Sequence, residues 1–398
     1  MNIRNPTAGL AALLTLVGTG CDPNEPQIEA EAVSNIVAYD IGDSNSGQDM
    51  EVAFSIPSDE ETVGEYRIIV VKESNAATFD AEAAGALRAP SLTVAKRANK
   101  DISAVLDMAA TDSDGDLIAN DIAYLVFVLT VADRDDANVN TLASAAVAIT
   151  LKDVALEITY LQNDGVLISD GENRVLVDAL INLGTNSGWV SLGSSEQAKL
   201  VNARAPYNRV DVVLATHNHG DHHSPPTLLT YLAANSGAKF LAPPQITNGL
   251  ASSSQIVRKS ITKFTRATET INGIRVDIFH LRHFDAFGND FSAVENYGYL
   301  LYLDGYKVLH LGDVDMSSEN FDALGLETEN IDVVLIPTFV QSVHLGASQK
   351  AVMATRIDPQ TIIGLHLLSG SIESLKSQIS AAYPSAIIFS TPLEKFSL

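Results

Sequence analysis

Hydrophobic and polar positions change their rhythm near the middle of this chain. From about Ser34 to Lys152 the apolar residues come in short runs, EVAFSIP, YRIIVVK, YLVFVLTVAD and VAITLKD, that alternate or are rich in β-branched and aromatic side chains. Turn-rich stretches such as GDSNSGQD separate them. Such runs predict short strands, and several of them within about a hundred residues predict an all-β sandwich. The alanine-rich stretch Ala76 to Ala86 reads as a loop or a short helix.

Beyond about Ala155 the pattern is mixed. LEITYLQ, VLISD and RVLVDAL, joined by the turns NDG and GEN, predict a three-strand meander. VDVVLAT, Val210 to Thr216, has the continuous apolar character of a strand buried on both faces. Ser224 followed by Pro225 predicts a helix start, LLTYLAAN its body and Gly237 its end. SSEQAKLVNA reads as a second helix. KFLAPP, GIRVDIFHLRH, YGYLLYL, YKVLHLGD, IDVVLIP, TIIGLHL and AIIFST are further strand candidates, two of them joined by the tight turn Asp304-Gly305. Strands outnumber helices, and hairpins mix with crossovers, which predicts a layered α/β domain.

A chain of 398 residues with 46% hydrophobic content supports two or three domains with real cores. The net charge of −24, with no Lys/Arg run, argues against polyanionic partners and so against nucleic acid. The substrate expected of such a surface is a small molecule, neutral or cationic. Near the start, Arg4 precedes the apolar run GLAALLTLVG, Gly9 to Gly18, which is too short to span a bilayer and fits an export signal. Cys21 is the only cysteine, so no internal disulfide can form. The run LVGTGC resembles the lipobox of bacterial lipoproteins, in which the cysteine becomes the first mature residue and carries lipid. That resemblance implies a signal peptide over 1–20, lipidation at Cys21 and a place in the bacterial cell envelope, with membrane contact through the lipid anchor alone. Residues 21–33 read as an acidic, proline-containing tether.

The segment 34–152 resembles a fibronectin type III or immunoglobulin-like domain, with Tyr124 in the place of a tyrosine corner. Within it, DSDGD, Asp112 to Asp116, invites comparison with a calcium loop. The sixth position from Asp112 is Leu117 and the twelfth is Ala123, where glycine and glutamate are required, so an acidic turn is the reading taken.

The chemistry is concentrated in THNHGDHHSPP, Thr216 to Pro226, which holds four of the nine histidines. On a loop leaving a strand, His217 and His219 can converge on one ion while Asp221 and His222 turn to a second. Imidazole and carboxylate donors suit zinc, and also iron or manganese. A two-ion site needs donors from other strand ends. Alternation in VDIFHLRH puts His283 at a strand exit. Asp313 ends VLHLGD, and His366 lies late in TIIGLHL. A histidine near an apolar strand is more often a hydrogen-bonded core residue than a ligand. That reading is taken for His280, His310 and His344, and His223 is read as exposed or loop-packing.

In this order, H-x-H-x-D-H, a later His, a Gly-Asp and a late His resemble the metallo-β-lactamase fold superfamily. The phrases THNHGDHHSPP, KFLAPP, YGYLLYLDGYKVLHLGD and IIGLHL are most similar to its ascorbate-lactonase-like branch. The likeness spans roughly Val154 to Leu398 and implies a four-layer αββα hydrolase domain over 153–398. It further implies that His217, His219 and His283 bind one divalent ion, that Asp221, His222 and His366 bind the other, and that Asp313 bridges them. Asp178 in LVDAL matches the family's earliest aspartate, with a role in supporting a ligand imidazole. Two ions about 3.5–4 Å apart share and acidify a water, and Asp221 would orient the resulting metal-bound hydroxide. No G-x-S-x-G elbow, P-loop or dinucleotide fingerprint offers another chemistry. The expected activity is metal-dependent hydrolysis of a small ester, lactone or phosphodiester. A non-haem iron redox enzyme of the same fold and a non-catalytic envelope binding module are the alternatives.

Overall fold

A computed structural model of the chain describes residues 27–58, 60–97, 101–153, 155–181, 188–285, 289–338 and 345–398. The export signal, Cys21 and His344 lie outside the described residues. Among the described residues no helix is long and apolar enough to cross a membrane.

The N-terminal region is strand-rich, as its alternation predicts. Strands β1 (Ser34–Asp40), β2 (Met50–Ser55) and β5 (Ile102–Val105) form one antiparallel sheet in the order β1-β2-β5. A second sheet joins β3 (Val63–Lys72), β4 (Leu92–Ala95), β6 (Ala123–Ala132), β7 (Thr141–Leu142) and β8 (Val147–Thr150) around the long β3–β6 pair. Val52 and Phe54 of the first sheet share one core with Tyr66, Ile68, Val70, Tyr124 and Val126 of the second. The Tyr124 hydroxyl accepts a hydrogen bond from the Ala119 amide at 3.2 Å. Within the alanine-rich stretch Ala81–Ala86 folds as a short helix capped by Asp80, and another short helix, Glu73–Ala76, ends where the stretch begins. The acidic turn is held by a lysine: Lys72 Nζ lies 3.2 Å from Asp112 and 3.3 Å from Asp114, and also pairs with Asp116. The C-terminal part of the segment read as a tether is packed, with Ala30 buried and its amide bonded to the Val139 carbonyl at 2.9 Å.

The second region is built on two seven-stranded sheets. The first runs β14 (Ile256–Arg258), β13 (Lys239–Ala242), β12 (Val212–Leu214), β11 (Arg174–Val177), β10 (Gly165–Ser169), β9 (Glu157–Gln162), β22 (Lys395–Ser397). The second runs β15 (Arg266–Ile271), β16 (Ile274–Arg282), β17 (Glu295–Leu303), β18 (Tyr306–His310), β19 (Val333–Pro337), β20 (Thr361–Leu365), β21 (Ile387–Ile388). Alternate residues of each strand point to opposite faces. Val166 and Ile168 of β10 face Ile278 of β16 and Leu335 of β19 in the core between the sheets. Their neighbour Leu167 faces outward, packing with Leu200, Leu228 and Tyr231 of the helices Ser194–Val201 and Pro225–Ala234. On the other side Phe279, Leu281 and Val334 pack outward against Phe321, Val352 and Tyr383. The result is the expected αββα layering.

The meander β9-β10-β11 is antiparallel, whereas β11, β12, β13 and β14 pair in parallel. In the second sheet β16-β17-β18 are antiparallel and β18-β19-β20 parallel, so β16, β18 and β20 point the same way. Their exits therefore fall along one edge. Ser224 stands at the N-cap as expected, but its hydroxyl accepts from Thr227 Oγ1 and not from a backbone amide.

Candidate metal centre

Five strand exits supply the site. Asp178 follows β11, the run from His217 to His222 follows β12, His283 follows β16, Asp313 follows β18 and His366 follows β20. His217, His219, His283 and Asp313 each offer a donor atom within 4.8 Å of the others, and so do Asp221, His222 and His366. The structure thus brings together all seven residues singled out from the sequence, in the two sets expected.

Asp313 faces both sets. Its Oδ2 lies 3.6 Å from His283 Nε2 and 3.9 Å from His217 Nε2, while its Oδ1 lies 3.6 Å from both His222 Nε2 and His366 Nε2. Asp221 Oδ2 is 3.6 Å from His366 Nε2 and 3.9 Å from His222 Nε2. Within the sets, His217 Nε2 is 2.9 Å from His219 Nδ1 and His222 Nε2 is 3.0 Å from His366 Nε2. Nitrogens facing one another at this range are donors converging on a shared point.

The far nitrogens decide the tautomers. His283 Nδ1 donates to the Phe284 carbonyl at 2.6 Å, so the Nε2 lone pair is free to point inward. His222 Nδ1 donates to Asp178 Oδ2 at 2.8 Å. Thr216 Oγ1 donates to the same Oδ2 at 2.5 Å and lies 3.0 Å from His217 Nδ1, completing a relay from that imidazole to the carboxylate. Asp178 Oδ1 accepts from the Thr216 amide at 2.7 Å. One buried aspartate therefore orients an imidazole in each set, His222 directly and His217 through Thr216. Asp178→Asn leaves the fold but presents a donor where two acceptor contacts are needed. Metal affinity is expected to fall roughly 10–100-fold, as competition against a chromophoric chelator would show.

Burial sets the protonation. It pushes His283 down to about 3, and it lowers His217 and His219, with the neighbouring histidines adding to the effect. These imidazoles are neutral at pH 7 and able to donate electron pairs. Burial also acts downward on His222, but Asp313, Asp221 and Asp178 together overcome it and raise this group well above its usual range. Burial raises the Asp313 carboxyl well above the usual carboxylate range. His283 Nε2 and Asp313 Oδ1 are buried without a hydrogen-bond partner. Unpartnered donors buried in a polar cage fit a cation in their midst, and imidazole with carboxylate fits zinc.

Among the other described histidines, His280 and His310 keep the hydrogen-bonded roles expected of them, while His223, expected to be exposed or loop-packing, is buried. His280 Nδ1 bonds the Ile261 carbonyl at 2.8 Å, and His310 Nε2 bonds the Asp164 carbonyl at 3.0 Å. His223 is buried and stacks on Phe240, with burial lowering its pKa to about 4. Two residues were missed. Asn163 Nδ2 donates to the Asp221 carbonyl at 2.8 Å and lies 3.3 Å from His366 Nε2. Asp164 is fully buried, with Oδ2 3.8 Å from His222 Nδ1 and 3.7 Å from His310 Nε2. Both sit in the turn NDG, where Asn and Asp are ordinary hairpin residues, so composition gave no hint of a second role.

Paired sheets between helical layers, with two histidine–aspartate donor sets at one edge, define a metal-binding α/β class. The chain belongs to the β-lactamase superfamily: the family model described as the beta-lactamase superfamily domain matches residues 157–366, more than half its length. A metal-dependent hydrolase of Methanosarcina mazei is 23% identical over 252 residues, covering 61% of this chain and 99% of that protein. One from Pelotomaculum thermopropionicum is 21% identical over 252 residues, covering 61% and 100%. Among solved structures, the metallo-beta-lactamase fold protein YhfI of Bacillus subtilis aligns with TM-score 0.42 and 16% identity, covering 61% of this chain and 99% of that one.

Proposed function

We propose that this metallo-hydrolase holds two divalent ions, zinc by the character of its donors, and hydrolyses a small ester, lactone or phosphodiester. The observation that carries the reading is Asp313, whose two oxygens face different donor sets. His217, His219 and His283 would hold one ion, and Asp221, His222 and His366 the other, with Asp313 between them. The ions when bound supply Lewis acidity and lower the pKa of a water to near neutrality. The chain's own residues do the rest. Asp178 fixes the ring planes of His217 and His222. Asp221 has the most exposed side chain of the carboxylates facing these histidines, at 21%. In this reading it would orient the attacking water while helping to hold its ion. Asn163 holds the Asp221 carbonyl and keeps that loop in register.

The N-terminal sheets are read as an immunoglobulin- or fibronectin III-like domain, a reading the Tyr124 contact supports. With export and lipidation at Cys21, it would hold the hydrolase domain off a membrane surface in the cell envelope. The test of the catalytic reading is a panel of lactone, carboxylic ester, thioester and phosphodiester substrates, with and without a chelator. Turnover that stops on chelation and returns with zinc is expected. Turnover undiminished in metal-stripped protein would overturn it, and iron with oxygen-dependent activity would shift the reading to redox chemistry.

A further inference from the structure

Aromatic rings abut both donor sets. Phe291 packs edge-on to His219 and tilted to His283, with centroids 5.0 and 5.1 Å away. Trp189 packs edge-on to His366 at 4.4 Å. Trp189, Phe291 and Leu368 are part-exposed and pack on the buried Phe284, and a strand bridge ties Trp189 to Leu368. Three separate chain segments thus build one apolar wall that reaches from the first donor set to the second. Loops rarely gather large apolar groups at a partly exposed polar site unless something apolar covers them.

Charge points the same way. Asp164, Asp178, Asp221 and Asp313 put four carboxylates in and behind the cage, formally equal and opposite to two divalent ions. Arg282, next in sequence to His283, is engaged by Asp285 at 3.0 Å, and Lys263 donates to the Ser292 carbonyl at 3.5 Å. A phosphodiester is commonly clamped by such side chains, and the loaded site would carry little surplus positive charge to replace them.

We infer that the wall of Trp189, Phe291 and Leu368 selects an uncharged substrate bearing an apolar chain or ring beside the carbonyl, an ester or lactone and not a phosphodiester. This rests on the hydrolytic reading above and narrows it. Trp189 is the only tryptophan in the chain, so its emission reports on the wall directly. The experiment is a fluorescence titration of the metal-loaded protein with butanone, hexanone and octanone, which are neutral and not hydrolysed, and with octyl phosphate. Emission is expected to shift to the blue, and affinity to rise by up to about fourfold per added CH₂. Octyl phosphate is expected to bind no better than octanone. Phe291→Ala should weaken octanone more than tenfold and butanone by much less, so that the gain per added CH₂ shrinks.

Emission unmoved by octanone, affinity independent of chain length, or a preference for the phosphate would each overturn the inference. The two readings fail separately. A chain-length-dependent shift in a protein that hydrolyses nothing would sink the hydrolase and keep the wall. Turnover with no dependence on chain length would do the reverse.

Discussion

Asp313→Ala is expected to lower turnover roughly a thousandfold, about 4 kcal/mol in the barrier, while the protein stays folded. The residue sits beyond the end of β18, and its backbone carbonyl bond with the Phe284 amide, 3.1 Å, does not depend on the side chain. What is lost is the one carboxylate, among the described residues, that faces His217 and His283 with one oxygen and His222 and His366 with the other. Without it the two sets no longer share a ligand, and the variant should retain at most one ion. Stability gives an independent check. Burial raises this carboxyl group well above its ordinary range, so ionising it in the empty site costs free energy. The metal-free variant should therefore be no less stable than the metal-free parent, although the loaded parent is the more stable of the loaded pair. Normal turnover by the alanine variant would contradict the bridging role.

Chelation is expected to abolish activity and to lower the thermal midpoint by roughly 10 °C. Ions held by this cage would bind the folded chain and not the unfolded one, so an ion present at a thousand times its dissociation constant would contribute about 4 kcal/mol. For a domain of this size each kcal/mol is worth roughly 2–4 °C. The physical origin is visible in the cage. His283 Nε2 and Asp313 Oδ1 are buried with no hydrogen-bond partner, and both are left unsatisfied when the ions go. Acid should reproduce the effect. Burial holds His283 at about 3 in the fold, so between that value and the usual histidine range the unfolded chain binds the extra proton. Stability is full above the unfolded histidine value and is lost as pH falls toward 3. Differential scanning fluorimetry across pH, with and without zinc, would show whether the midpoint is insensitive to metal, which the account does not allow.

Much of this site was legible in the sequence because its signals are local. H-x-H-x-D-H packs four donors and two spacers into one loop, and a buried strand before it fixes where that loop emerges. His283, Asp313 and His366 were placed by strand alternation and by their order, since each ends an apolar run. Asn163 and Asp164 were not legible, because the NDG that supports the site is also an ordinary hairpin turn. Edge strands were missed for a related reason. RATETI (β15) and the KFS of β22 are partly exposed, so neither carries the apolar run that marked the inner strands. The wall was missed because Trp189, Phe291 and Leu368 come from three irregular segments that only the fold brings together.

The most direct test is elemental analysis of the purified, unmutated protein by mass spectrometry. Two equivalents of a divalent metal per chain, zinc above all, is the expected count. A chain that folds, resists added zinc and carries no metal would contradict the account at its root.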